Sequence, residues 1–346
     1  MAWNVTELQS KITSLESRIK EVKDQNSMIL LENDLYNLKQ MVNYKLGRSV
    51  YDNHFSGFKI IDKDHFEAMV QMLQANGNDI FHQMHGVALW HHVPIKGFLN
   101  PKIPNDVHEE LLLAFLEYFD KNLLSLYKRY KEENRIEINQ APYESLTCTG
   151  KCYPIASEGS TYISSRYNGR FNRICNIPHE LGHAYQFSKP FSATEFQRRL
   201  YSLFGEAYPI FIEFAFLDFL KNTKYHKAAL KQKGEILNNY LCNIEYNVSG
   251  LCEVPDAFYT SDGSLAFKGY GRTSEYNTLI LSGMLGMHWY ALYCQEPQKA
   301  LSEVSEFNKK FGQVSEESVL SHYGVDNLAS GVYWTLDDYM KSYRKH

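Results

Sequence analysis

The chain has 346 residues with 36 Lys and Arg against 40 Asp and Glu, a formal net charge of −4. That balance lacks the basic surplus expected of a dedicated nucleic-acid binder. Gly (20) and Pro (10) are scarce and aromatics abundant (25 Tyr, 20 Phe, 4 Trp), which favours long helices around a large core and excludes disordered and fibrous classes.

Residues 6–46 read as two helices. Leu8, Ile12, Leu15, Ile19 and Val22 follow 4-3-4-3 spacing; Asp24 to Ser27 interrupts; Leu31, Leu35, Leu38 and Val42 resume the stripe as far as Gly47, a C-cap residue by type. Two short segments fall below the three or four heptads of a coiled coil. The pattern therefore reads as a hairpin packed on the body, with a partner-binding surface as the alternative. The first residues carry no apolar secretory segment, and the six cysteines form no CxxC pair. Both features imply a cytoplasmic, reducing setting.

Residues 62–76 and 105–134 again have helical period. The window Phe81–His92 holds His82, His85, His91 and His92. No carboxylate or thiolate accompanies them at ligand spacing, so the window reads as a helix end and loop. Residues 136–170 change character, and Thr161–Tyr167 reads as a strand. From Asn172 onward the chain is helical, with loops expected near 188–192, 250–265 and 322–330. Tyr276–Gln295 has no charged residue over 20 positions, nearly a membrane span, but holds Asn277, Ser282, His288 and Gln295. A buried core helix fits it better than a span.

The chemistry gathers in His179-Glu180-Leu181-Gly182-His183. Positions i and i+4 share a helix face, so two imidazoles can meet one Zn2+, and Glu180 can take a proton from water on the metal's open side. A third ligand is offered downstream. Ala207–Leu217, preceded by Gly205-Glu206, is apolar on nearly all sides, where a carboxylate is costly unless paired or bound to metal. Glu206 and Glu213 lie two turns apart on one face. This suits Glu206 as ligand and Glu213 as an orienting group behind it. A solvated acid for Glu206 and a structural salt bridge for Glu213 are the competing readings. Pro209 leaves the Gly205 carbonyl without its helical donor, which points to a bend beside the ligand.

These residues resemble the thimet oligopeptidase and oligoendopeptidase F family of zinc peptidases. There, an HExGHA segment is followed at nearly this distance by a ligand Glu, with another Glu seven residues on. Here His179–Ala184 is followed by Glu206, 23 residues after His183, and by Glu213. Gly150-Lys151 and the strand 161–167 are similar to the family's strand beside the cleft, which implies substrate-binding roles for Tyr162 and Ser164. Lys268–Tyr276 resembles the family's Gly-Tyr-rich stretch, which implies oxyanion-stabilising roles for Tyr270 and Tyr276. Ordinary packing is the alternative for each of the two. The family's His on that side has no counterpart, since none occurs between His226 and His288. Arg272 could substitute as a cation. Only about 145 residues precede the strand region, fewer than the family's large N-terminal lobe, so a more open groove is expected.

The resemblance thus implies a mainly α, zincin-like metallopeptidase with a small β segment beside its cleft, built as one catalytic domain over 1–346. Its parts are a helical hairpin (1–48), a helical stretch (49–135), the β region (136–170) and a helical zinc-binding region (171–346). It implies one Zn2+ per chain and a peptide or protein substrate; charge and composition imply no nucleic-acid or membrane partner, and a monomer is expected. Two rivals stand beside it. One is a catalytically weak member that binds peptide in its metal cleft. The other is a helical interaction protein in which HExxH is accidental.

Overall fold

The computed structural model describes residues 4–46, 61–88, 93–95, 99–138, 150–247, 256–259, 265–268 and 272–345. In chain order they form α1 (Val5–Glu21), α2 (Gln25–Lys45), α3 (Lys63–Ala88), α4 (Asn105–Phe119), α5 (Lys121–Glu132), β1 (Ile136–Ile138), β2 (Gly150–Ile155), β3 (Ser160–Ser165), α6 (Asn176–Gln186) and α7 (Ala193–Leu200). They continue as α8 (Ala207–Leu220), α9 (His226–Asn247), β4 (Asp256–Tyr259), β5 (Leu265–Lys268), α10 (Arg272–Gln295), α11 (Pro297–Lys310), α12 (Glu316–Tyr323) and α13 (Val325–Lys345). The fold is mainly helical with little sheet, as expected. No helix among the described residues is long and apolar enough to cross a membrane. The chain divides into two compact units, residues 1–53 with 100–196 and residues 54–99 with 197–346.

In the first unit the α1–α2 hairpin buries the predicted stripe. Leu8, Leu15, Leu31, Leu38, Met41 and Val42 form one core cluster with Tyr153 and Ile155 of β2 and Tyr162 of β3, and Ile12, Ile19, Val22 and Leu35 pack at its border. Each helix opens on a side-chain cap that satisfies an orphan amide: Asn4 accepts from the Thr6 N–H at 2.9 Å and Asp24 from the Ser27 N–H at 2.8 Å. Gly47 lies outside the described residues. A second, polar face of α2 braces the sheet. Asn37 donates to the Pro154 carbonyl at 2.7 Å, and Asp34 accepts the N–H groups of Ala156 and Ser157 at 2.6 and 2.9 Å.

The three-stranded sheet has the order β1-β3-β2, with β1 parallel and β2 antiparallel to β3. β3 is therefore the central strand, bracketed by Ser165 opposite Gly150 and Ile163 opposite Ile136. Ile163–Ser165 pair on both sides, whereas Ser160–Tyr162 pair with β2 alone. Residues 105–134 also differ from the single helical stretch expected. Asp120 takes an extended conformation (φ −154°, ψ 115°), ends α4, and caps α5 by accepting from the Asn122 N–H at 2.7 Å.

The second unit is built on α8 and α10. Ile280, Leu281, Met284, Leu285, Trp289 and Tyr290 of α10 are wholly or almost wholly buried, so the uncharged stretch is a core helix. α8 is buried along most of its length, again as read from its apolar run. Pro209 falls in its first turn, where no intrahelical donor is lost, and the Ile210 N–H still reaches the Glu206 carbonyl at 3.0 Å. Two expected loops are corrected. Within 250–265, Asp256–Tyr259 pairs with Leu265–Lys268 as an antiparallel hairpin. Within 322–330 the helical path breaks only at Gly324 (φ +75°), a left-handed conformation that glycine adopts without steric cost, and α13 starts at the next residue. α3 runs on to Ala88, so the first eight of the twelve residues of the histidine window are helical.

Candidate metal and catalytic site

α6 presents the histidines. Ile177, Leu181 and Ala184 bury one face of the helix, and Pro178 occupies the first turn, where its missing N–H costs nothing. His179 and His183 remain half-buried one turn apart. Their rings meet edge to face with centroids 5.0 Å apart, the arrangement that i, i+4 spacing dictates.

Glu180, only 7% exposed, turns toward the sheet instead. Its carboxylate lies against the α-carbon of Gly150 at the start of β2. A Cβ built on Gly150 would lie 2.5 Å from Oε1 of Glu180, 2.9 Å from Cγ and 3.1 Å from Cδ. A side chain at position 150 would therefore displace the Glu180 carboxylate from this place. This contact was invisible in the sequence, which brought Gly150 forward only through its resemblance to a cleft strand.

In the second unit Glu206 stands at the N-cap position of α8, half-buried, and its side chain makes no capping bond to its own helix. Its backbone N–H donates to the Ser282 hydroxyl at 3.1 Å. Glu213 is half-buried further along α8.

Tyr162 is 9% exposed within the hairpin–sheet core, with the Arg135 guanidinium over its ring at 4.8 Å and the Lys11 ammonium donating to its hydroxyl at 3.4 Å. Ser164 is buried, and its hydroxyl donates to the Lys151 carbonyl at 3.5 Å. The two residues expected to bind substrate are thus both buried, with these partners. Arg272 opens α10 and Tyr276 lies one turn further along it. Tyr270 lies outside the described residues.

Chemically, His179, His183 and Glu206 offer two imidazole nitrogens and a carboxylate oxygen from half-buried positions. This donor set, without thiolate, fits a catalytic zinc better than a structural one, which favours four closed ligands.

No protein-family model and no curated protein matches the chain. Solved structures are similar to it at 10–12% identity. A candidate oligoendopeptidase F from Bacillus anthracis strain Ames shares 12% identity with a TM-score of 0.48, over 90% of this chain and 62% of that one. A second candidate oligoendopeptidase F shares 12% with a TM-score of 0.47, over 96% and 66%. A candidate peptidase from Chlamydophila abortus shares 10% with a TM-score of 0.49, over 91% and 61%. The chain thus spans 61–66% of the length of these structures.

Proposed function

We propose that the protein is a zinc-dependent peptidase in which His179, His183 and Glu206 hold one Zn2+. The observation that carries the reading is the half-buried imidazole pair on one face of α6, with the Glu180 carboxylate of the same helix seated against Gly150. Bound zinc would lower the pKa of the attacking water and polarise the scissile carbonyl. Glu180 removes a proton from that water as its oxygen bonds to the carbonyl carbon, then delivers the proton to the departing amine as the C–N bond breaks. Glu213 orients Glu206 from one face of α8. Tyr270 and Tyr276 steady the developing oxyanion, and Arg272 is a further cation for that role.

The test is a mass-spectrometric cleavage profile on a peptide library, with and without a chelator. Cleavage that a chelator abolishes and zinc restores is the expected result. Purified protein without bound zinc, or cleavage indifferent to the chelator, overturns the reading. One observation favours a second reading, a metal cleft that binds peptide with little turnover: no histidine lies between His226 and His288 to supply the family's oxyanion donor. Zinc and peptide binding without cleavage would select it.

A further inference from the structure

The turn that delivers Glu206 is fixed by a residue outside every motif. Between α7 and α8 each backbone N–H from Leu203 to Ala207 has an acceptor. Phe204 donates to the Ser202 hydroxyl at 3.1 Å, Gly205 to the Ser202 carbonyl at 3.2 Å, and Ala207 to the Phe204 carbonyl at 3.1 Å. The remaining two acceptors come from far along the chain. The Leu203 N–H reaches the fully buried carboxyl of Glu316 at 3.2 Å, and the Glu206 N–H reaches Ser282 at 3.1 Å. The Ser282 hydroxyl also donates to the Leu203 carbonyl at 2.9 Å. One hydroxyl therefore ties both ends of the four-residue turn.

The local composition makes this placement informative. Ser282 is completely buried in a helix whose neighbouring positions are apolar. A buried helical serine usually returns its hydrogen bond to its own preceding turn; here both its donor and its acceptor capacity cross to another element. One turn further, a Cβ on Gly286 would lie 2.7 Å from the Ala207 carbonyl oxygen. The bare glycine lets α10 approach the first turn of α8 closely enough for the serine to reach.

We infer that Ser282 is a positioning residue for the metal ligand Glu206. It fixes the main chain from which that carboxylate springs, and so sets zinc affinity without touching the metal. This rests on the zinc reading above. Groups behind a metal ligand of this kind typically contribute about 10- to 100-fold in affinity.

The experiment measures the zinc dissociation constant of the full-length protein by competition with a chromophoric chelator, alongside thermal unfolding. Ser282→Ala should bind zinc about 10-fold or more weakly. Ser282→Cys, which fills nearly the same space with a poorer donor and acceptor, should fall between it and wild type. It carries the test if the alanine variant does not fold. Ile280→Val removes a methyl group from the same helix and should unfold earlier while keeping wild-type zinc affinity. Serine variants that merely unfold earlier, with zinc affinity unchanged, overturn the inference and leave the zinc reading intact. Wild-type protein that binds no zinc overturns both.

Discussion

The two units hold their candidate site residues by different means. In the first, His179 and His183 are set by the geometry of one short helix, and their relation is local: four residues apart, one face. In the second, Glu206 sits at a turn whose shape depends on partners 76 and 113 positions away from the amides they bind, Ser282 and Glu316. A helix can carry a site in its own sequence pattern, whereas a turn in an apolar setting borrows its geometry from elsewhere. The first unit braces its sheet through exposed and buried polar pairs; the second fixes its turn through isolated polar groups sunk in a hydrophobic helix pair.

The strongest way to break this comparison is at Glu180. Glu180→Gln should lower hydrolysis by about 10³-fold or more while zinc content stays near one per chain, because the amide cannot take the proton. Full activity in that variant would remove the proposed mechanism. Gly150→Ala comes next. Its new methyl occupies the space of the Glu180 carboxylate, so kcat should drop about 10- to 100-fold with KM little changed. In a Glu180→Ala background the same substitution should leave the melting temperature unchanged. An equal loss of melting temperature in both backgrounds would show that Gly150 matters for another reason. The loss of zinc affinity expected for Ser282→Ala, about 10-fold, tests the other half at similar scale.

The smallest effect belongs to Glu316. Burial pushes its carboxyl up from 4.5 to about 7, opposed by hydrogen bonds from Ser202 and the Leu203 N–H. The folded state thus holds this proton more tightly than the unfolded chain. Its contribution to stability is full below pH 4.5 and is lost as pH rises through about 7. Glu316→Gln keeps an acceptor for Leu203 and cannot ionise. The difference in urea unfolding free energy between wild type and variant should therefore shift by roughly 1–3 kcal/mol across that window. A flat difference would mean that Glu316 stays ionised in the folded protein.

What the sequence made legible follows the same division. The stripes of α1 and α2, the HExxH face and the burial of α8 and α10 are periodic or compositional, and the structure carries all of them. Strand alternation, by contrast, does not say which strand lies in the middle of a sheet, and the substrate-binding roles of Tyr162 and Ser164 come from the resemblance alone. Their partners, Lys11, Arg135 and Lys151, lie elsewhere in the chain. The two missed elements have equally plain causes. A single Gly324 resembles the start of a loop, and the hairpin strands of four residues each are too short for their pattern to stand out. In the sequence Ser282 stands out only as a residue unsuited to lipid. Its two hydrogen bonds depend on tertiary placement that no local spacing encodes.

The glycines of α10 carry a warning for anyone stabilising this protein. Replacing helical glycine with alanine is a standard improvement, worth up to about 1 kcal/mol where the new methyl meets solvent. At Gly283 the methyl would lie 2.1 Å from the Tyr240 ring, and at Gly286 it would strike the Ala207 carbonyl and Ile210. A library guided by helix propensity would rank both changes highly and find both harmful. The low helix propensity of this segment is the condition for bringing three helices together, so thermostability has to be sought on its exposed neighbours.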